Sequence, residues 1–187
     1  MTIRDIAGFC PEEAVWKMLA DVSFFLLKEV NCYRLTPDSI VIDGKTFMVA
    51  EDEDCQSPLT EFLAPEQDNR EKTEAVQMVW SLGAVAYFMA TGHIVFGGHG
   101  SSYQKEHPSV VLPILPKDLH KLTPVLQKCL NYTPDKRIRL NDLKEIALKG
   151  LNACEKEQRR QVDSTAKKTV KEVKSIGEKW PEEMREV

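Results

Sequence analysis

The feature that most constrains the fold is a long apolar segment in the middle of the chain. From Glu74 to Thr91, apolar residues occupy every face of a helix, a pattern typical of a helix that is buried on all sides. Gly92 follows at the position where helices often end in a left-handed residue. Because Gln77 and Ser81 interrupt the segment and it is short for a bilayer, we predict a core helix and no membrane span.

Apolar residues at helical spacing predict further helices on both sides of this segment. One covers residues of about 12–30, and another lies over 119–130. A third opens at Asn141, and Gly150 is expected to close it because glycine is common just past a helix end. Residues 93–116, rich in glycine and proline, are expected to be mostly loop with one short helix. The predicted fold class is therefore mainly α.

One β-hairpin is predicted between the first helix and the core helix. Residues 39–49 contain two short apolar runs around Asp43-Gly44. Both residues of that dipeptide tolerate the positive φ of a type I′ turn, so the turn is predicted there.

Four consecutive acids follow the hairpin: Glu51, Asp52, Glu53 and Asp54. They could bind a basic partner peptide or a divalent cation, and a solvated loop is the simpler interpretation. Their spacing does not match the calcium loop of an EF-hand, which has alternate ligands and a mid-loop glycine. We treat them as candidate partner-binding residues and predict no metal site.

The composition changes after Leu151, which divides the chain into a domain over 1–151 and an extension over 152–187. The extension holds nine basic and eight acidic residues. Its apolar residues recur in steps of three and four: Val162, Ala166, Val170, Val173, Ile176 and Trp180. This predicts a charged amphipathic helix. Its stripe could pack on its own domain, on a second copy or on a partner. We favour its own domain, since large bare apolar patches are rare. The oligomeric state stays open.

Composition also bears on location and partners. The net charge of −4 gives no global reason to expect nucleic-acid binding. The five cysteines are scattered without the spacing of a zinc site, which favours reduced thiols in a reducing compartment. The first residues lack the basic and apolar regions of a signal peptide. We therefore expect a cytoplasmic protein that binds neither nucleic acid nor membrane.

Four local motifs resemble the large lobe of protein kinases, in the right order over roughly residues 10–150. They are Leu63-Ala-Pro-Glu66, Val79-Trp-Ser-Leu-Gly83, Ala90-Thr-Gly92 with Phe96, and Cys129-Leu-Asn-Tyr-Thr-Pro-Asp-Lys-Arg137. The resemblance implies a kinase-like C-lobe. Together with the hairpin and the charged helix read above, we predict a kinase-like C-lobe with one short β-hairpin and, after it, a helical C-terminal extension. It also implies a structural ion pair between Glu66 and Arg137.

The departures from the kinase pattern fall on catalytic positions. Residues 35–40 (Leu-Thr-Pro-Asp-Ser-Ile) resemble the kinase catalytic loop. Arg34 then stands where an aspartate orients the substrate hydroxyl, and Ser39 replaces a magnesium-binding asparagine. Met78 replaces the aspartate that ties down this loop. Because an arginine cannot accept a proton, we expect no catalytic residue and no enzyme activity.

The resemblance begins within the first dozen residues, which leaves no room for the small lobe (N-lobe) of a kinase. Without its Gly-rich loop and strand lysine we expect no ATP cofactor. Such a shortened lobe resembles the kinase non-catalytic C-lobe domain, a pseudokinase-like module. Pro11-Glu-Glu-Ala-Val-Trp16 and Phe62-Leu-Ala-Pro-Glu66 carry this likeness. Domains of that family bind peptide segments of partners, some of them basic.

These expectations favour a non-catalytic protein–protein interaction module that acts as a scaffold or regulator. One alternative is a split or degenerate kinase that needs a separate ATP-binding lobe in trans, in which Glu51 or Asp52 could bind magnesium. Another is a structural fragment of a larger assembly.

Overall fold

The computed structural model describes residues 1–28, 34–50, 59–67, 74–112 and 114–178. This part of the chain is mainly helical and contains one two-stranded antiparallel sheet, as predicted. The helices are α1 (Ile3–Ile6), α2 (Glu12–Lys28), α3 (Ala75–Thr91), α4 (Gly100–Glu106), α5 (Thr123–Cys129) and α6 (Leu140–Glu178); the strands are β1 (Ile40–Asp43) and β2 (Thr46–Val49). Short 3-10 turns lie at Thr60–Phe62, His120–Leu122 and Pro134–Lys136. None of the helices described has the length and hydropathy needed to cross a membrane.

The chain forms two compact units, Met1–Leu151 and Asn152–Val187. The boundary coincides with the change in composition after Leu151. The first unit holds the hairpin and the helices from α1 to α5, together with the beginning of α6.

Helix α3 forms the centre of the first unit; it begins one residue after the predicted start and ends at Thr91, as predicted. Glu74 caps its N-terminus in a reciprocal arrangement with Gln77, and Gly92 ends it in the left-handed region at φ 73°. The helix packs against α2 and α5. A Cβ at Gly83 would lie only 2.6 Å from the Cβ of Cys129, so this glycine permits the close approach of α5. The apolar sequence of α3 is therefore explained by helices on several sides.

The hairpin is present, but its turn differs from the predicted one by one residue. Asp43 pairs with Thr46 in the strand register, so the two turn residues are Gly44 and Lys45. Gly44 has φ 58°, whereas Lys45 is not among the residues with positive φ. A glycine at the first turn position followed by a residue with negative φ is the pattern of a type II′ turn, so the predicted type I′ turn at Asp43-Gly44 is wrong.

Both edges of the hairpin have partners. The backbone N–H of Phe47 in β2 donates to Asp21 of α2 at 3.0 Å. On the other edge, Thr2 forms an isolated bridge with Val41 of β1. The backbone N–H of Ile42 donates to the carbonyl of Met1 at 2.9 Å. These contacts satisfy edge groups that would otherwise be open to pairing with another chain.

Helix α6 does not end at Gly150, so that expectation is wrong. The helix runs without a break from Leu140 to Glu178. A Cβ at Gly150 would lie 2.6 Å from Cε2 and 2.9 Å from Cε3 of Trp16. The glycine is therefore explained by close packing on an indole ring of α2, and not by a helix end.

The second unit consists of the distal part of α6. The side chains from Lys156 to Thr169 are exposed, and Val162 is 67% exposed. The packing of the apolar stripe on residues 1–151 stays a prediction. The side chains of Val170, Val173 and Ile176, and the whole of Trp180, lie outside the described residues.

Candidate functional site

The segment that resembles a catalytic loop forms a tight turn held by its own side chains. The backbone N–H of Thr36 donates to Ser39 Oγ at 2.9 Å, and the N–H of Ser39 donates to Thr36 Oγ1 at 3.2 Å. Ser39 Oγ in turn donates to the carbonyl of Thr36 at 3.1 Å. Both residues are buried. These hydroxyls stabilise the turn that precedes β1, as in other turns closed by Ser and Thr side chains.

Arg34 and Met78 are the other two residues at which the sequence differs from the kinase motifs that it resembles. Arg34 is half-buried at the start of the turn segment. Met78 is buried in the first turns of α3. Arg34 offers only hydrogen-bond donors and Met78 only a weakly accepting sulfur, so neither side chain can act as a carboxylate does.

An ion pair that sequence patterns did not reveal holds this turn to the N-terminal helix. Arg4 of α1 donates two hydrogen bonds to Asp38, from Nε to Oδ1 and from Nη2 to Oδ2, each 2.6 Å long. Both side chains are 48% exposed. The hydrogen bonds from Arg4 lower the pKa of Asp38. The bond to Asp38 also raises the pKa of Arg4.

The ion pair expected between Glu66 and Arg137 is present. Arg137 Nη1 donates to Glu66 Oε1 at 2.5 Å, and Nη2 donates to Glu66 Oε2 at 2.7 Å. The same guanidinium donates to three backbone carbonyls, those of Asn131, Val76 and Tyr132. The side chain of Arg137 is 0% exposed, and that of Glu66 is 29% exposed. All five N–H groups of the guanidinium are therefore bonded, which suits a structural role.

Two of the described cysteines, Cys10 and Cys129, do not have the environment of reactive thiols. Cys10, Cys129 and Cys154 are free thiols. Burial raises the pKa of Cys129 to about 12, although the nearby Arg137 opposes that effect. Burial also raises the pKa of Cys10. Since the thiolate is the nucleophile, a raised pKa makes these two side chains poor candidates for covalent catalysis.

The acidic run Glu51, Asp52, Glu53 and Asp54 lies outside the described residues. Within the described ranges, no three His, Cys, Asp or Glu side chains converge so that they could hold a metal ion.

A cleft of about 310 Å³ lies between residues 108–112 and residues 127–132, with Phe96 and Leu130 among its apolar lining residues. On the same segment Val111 is 70% exposed and, just beyond the cleft, Ile114 is 81% exposed.

A buried glutamine lines the base of the cleft. Gln104 Oε1 accepts a hydrogen bond from Trp80 Nε1 at 2.9 Å, and its Nε2 donates to the carbonyl of Leu130 at 2.7 Å. Gln104 is buried, so these bonds connect α3, α4 and the end of α5 in a dry environment. Gln104 therefore links the core helix α3 to the wall of the cleft that contains Leu130.

Comparison with known proteins does not assign the chain to a family. No known family model matches it, and no curated protein matches it.

Proposed function

We propose that this chain is a non-catalytic protein-binding module built on a degenerate, pseudokinase-like C-lobe. It would act in the cytoplasm as a scaffold or regulator. The observation that carries the non-catalytic part is the Thr36–Ser39 turn. The residue at the magnesium-ligand position uses its hydroxyl in two hydrogen bonds within the turn. Arg34, at the position of the catalytic acid, has no group that accepts a proton.

The kinase-like part of the proposal is supported by the pair of Glu66 and Arg137. The resemblance implied that these residues, which are 71 positions apart, would meet. Their two-point contact agrees with that implication, and it joins the segment after the hairpin to the helices below it. Two parallel hydrogen bonds between a guanidinium and a carboxylate require a specific orientation of both groups, which chance contacts between surface side chains rarely have.

The binding part of the proposal has two candidate surfaces. One is the acidic run of residues 51–54, which would receive a basic peptide segment. The other is the apolar surface formed by Val111 and Ile114 beside the cleft of residues 108–112. Exposed apolar side chains grouped beside a cleft are typical of protein-contact surfaces.

The first experiment tests the absence of catalysis. We expect no thermal shift of the full chain on adding Mg·ATP, and no transfer of labelled phosphate to a generic protein substrate above a control without protein. A magnesium-dependent shift, or phosphate transfer, would instead support the split or degenerate kinase.

The second experiment tests the surfaces. Cross-linking in native cells is followed by mass spectrometry for the wild-type chain and three variants. One variant replaces residues 51–54 by their amides, and one carries Val111→Ser with Ile114→Ser. The control is Met48→Ser, an exposed apolar residue on β2. We expect one surface variant, and not the control, to lose a protein that the wild type retains. Equal retention by all four chains would contradict both surfaces.

A further inference from the structure

The distal part of α6 carries its charges in rows four residues apart, and residues four apart are neighbours on one face of a helix. One row reads Glu155, Arg159, Asp163 and Lys167, so the sign of the charge alternates at every step. The first two residues form an ion pair at 4.0 Å. Alternation of this kind is typical of a solvent-exposed helix that side-chain ion pairs support.

The adjacent row does not alternate in this way. It reads Lys156, Arg160, Ser164, Lys168 and Glu172. Ser164 lies between two cations, one helical turn away on each side, where the neighbouring row has the anion Asp163. All five side chains of this row are exposed. A negative charge at residue 164 would therefore have a cation on each side, as Asp163 has in the neighbouring row.

We propose that Ser164 is a phosphorylation site, at which the phosphate pairs with Arg160 and Lys168 and stabilises the distal half of α6. The phosphoryl donor is a nucleoside triphosphate, and the catalyst is a separate serine kinase. Ser164 Oγ forms the new bond to the γ-phosphorus, and the bond from that phosphorus to the β-bridging oxygen breaks. The diphosphate leaves, and the hydroxyl proton passes to the base of the kinase.

The physical effect follows from the position of the hydroxyl. A phosphoserine carries about −1.5 to −2 charges at neutral pH and three strong acceptor oxygens. In the helix those oxygens lie within reach of the cations at residues 160 and 168, and Lys167 lies three residues away on the same side. Since the described side chains of this unit from 156 to 169 are exposed, its helix depends strongly on such local pairs.

The neighbouring threonines differ from Ser164 and supply a matched control. Thr165 Oγ1 donates to the carbonyl of Gln161 at 2.9 Å, and Thr169 Oγ1 donates to the carbonyl of Thr165 at 3.1 Å. Thr169 also lies three residues before Glu172, so a phosphate there would meet a like charge. We expect phosphate at residue 169 to weaken the helix that phosphate at residue 164 strengthens.

The first test measures the effect on the helix. The full chain is prepared with phosphoserine at position 164 or with phosphothreonine at position 169, and amide hydrogen exchange is followed by mass spectrometry. At low salt we expect exchange over residues 160–168 to slow by roughly two- to tenfold for the first chain relative to the unmodified chain. Added salt, or Arg160→Gln with Lys168→Gln, should remove the difference. Unchanged or faster exchange, or equal slowing by phosphate at 169, overturns the proposal.

The second test asks whether the position accepts phosphate. The full chain is incubated with Mg·ATP and an arginine-directed serine/threonine kinase, and phosphate is located by tandem mass spectrometry. We expect Ser164 to be modified before Thr165 and Thr169. Phosphate on those threonines with none on Ser164 overturns the assignment. Ser164→Ala, which keeps the helix, should remove the phosphate that appears first in this segment.

Discussion

The most informative perturbation of the first unit is the removal of Arg137. The Arg137→Ala variant would strand the carboxylate of Glu66, which is only 29% exposed. It would also remove the side-chain donor to the carbonyls of Asn131, Tyr132 and Val76, the last of which lies in the first turn of α3. Breaking a buried pair by removing one partner costs about 3–5 kcal/mol. We expect a loss of unfolding free energy in that range.

Substitution of the partner residue, Glu66, should lower the unfolding free energy by less. Glu66→Gln keeps the shape of the side chain and one acceptor oxygen, and the guanidinium keeps its three carbonyl partners. Loss of a hydrogen bond to a charged group costs about 1.5–3 kcal/mol. Once one partner is gone, removal of the other loses no further pairing. The double variant should therefore cost less than the sum of the single variants, by about 0.5–3 kcal/mol.

Urea unfolding measures this cycle, with the fluorescence of the buried Trp16 and Trp80 as a probe. Arg139→Ala is a suitable control, because Arg139 is exposed and only two residues away. The control should change the unfolding free energy by no more than about 0.5 kcal/mol. Strict additivity of the two single variants, or a cost for Arg137→Ala no larger than that of the control, would refute the argument.

Two further substitutions test contacts of the first unit. Gly150→Ala should lower the unfolding free energy by about 1–3 kcal/mol, because the added methyl group would collide with Trp16. The higher helix propensity of alanine, about 1 kcal/mol, opposes this effect. An unchanged or higher urea midpoint would show that the two helices are not in close contact. Because Arg4 lowers the pKa of folded Asp38, their pair adds stability above the ordinary pKa of an aspartate and loses it as the pH falls through the lowered value. Asp38→Asn should therefore cost about 0.5–1 kcal/mol at pH 7 and nothing below that pKa; a cost that does not change with pH would contradict this account.

The sequence alone is enough to predict those helices and strands whose boundaries depend on residues close to one another along the chain. The bounds of α3 follow from its apolar composition and from Gly92, whose positive φ the structure contains. The position of the hairpin follows from its apolar runs and its glycine. In each case the deciding interactions lie within a few residues, so a pattern in the sequence records them. The pair of Glu66 and Arg137 was expected through a resemblance to kinases, and no local pattern would have indicated it.

Tertiary structure decided the features that depend on which surfaces meet. Gly150 does not end a helix; it allows the ring of Trp16, which is far away in the sequence, to pack against α6. The pair of Arg4 and Asp38 joins residues 34 positions apart, and neither residue belongs to a recognisable motif. The turn at Gly44-Lys45 is set by the strand register, which depends on which hairpin residues face α2. Such contacts depend on the packing of whole helices and strands, and the local sequence holds no record of their arrangement in space.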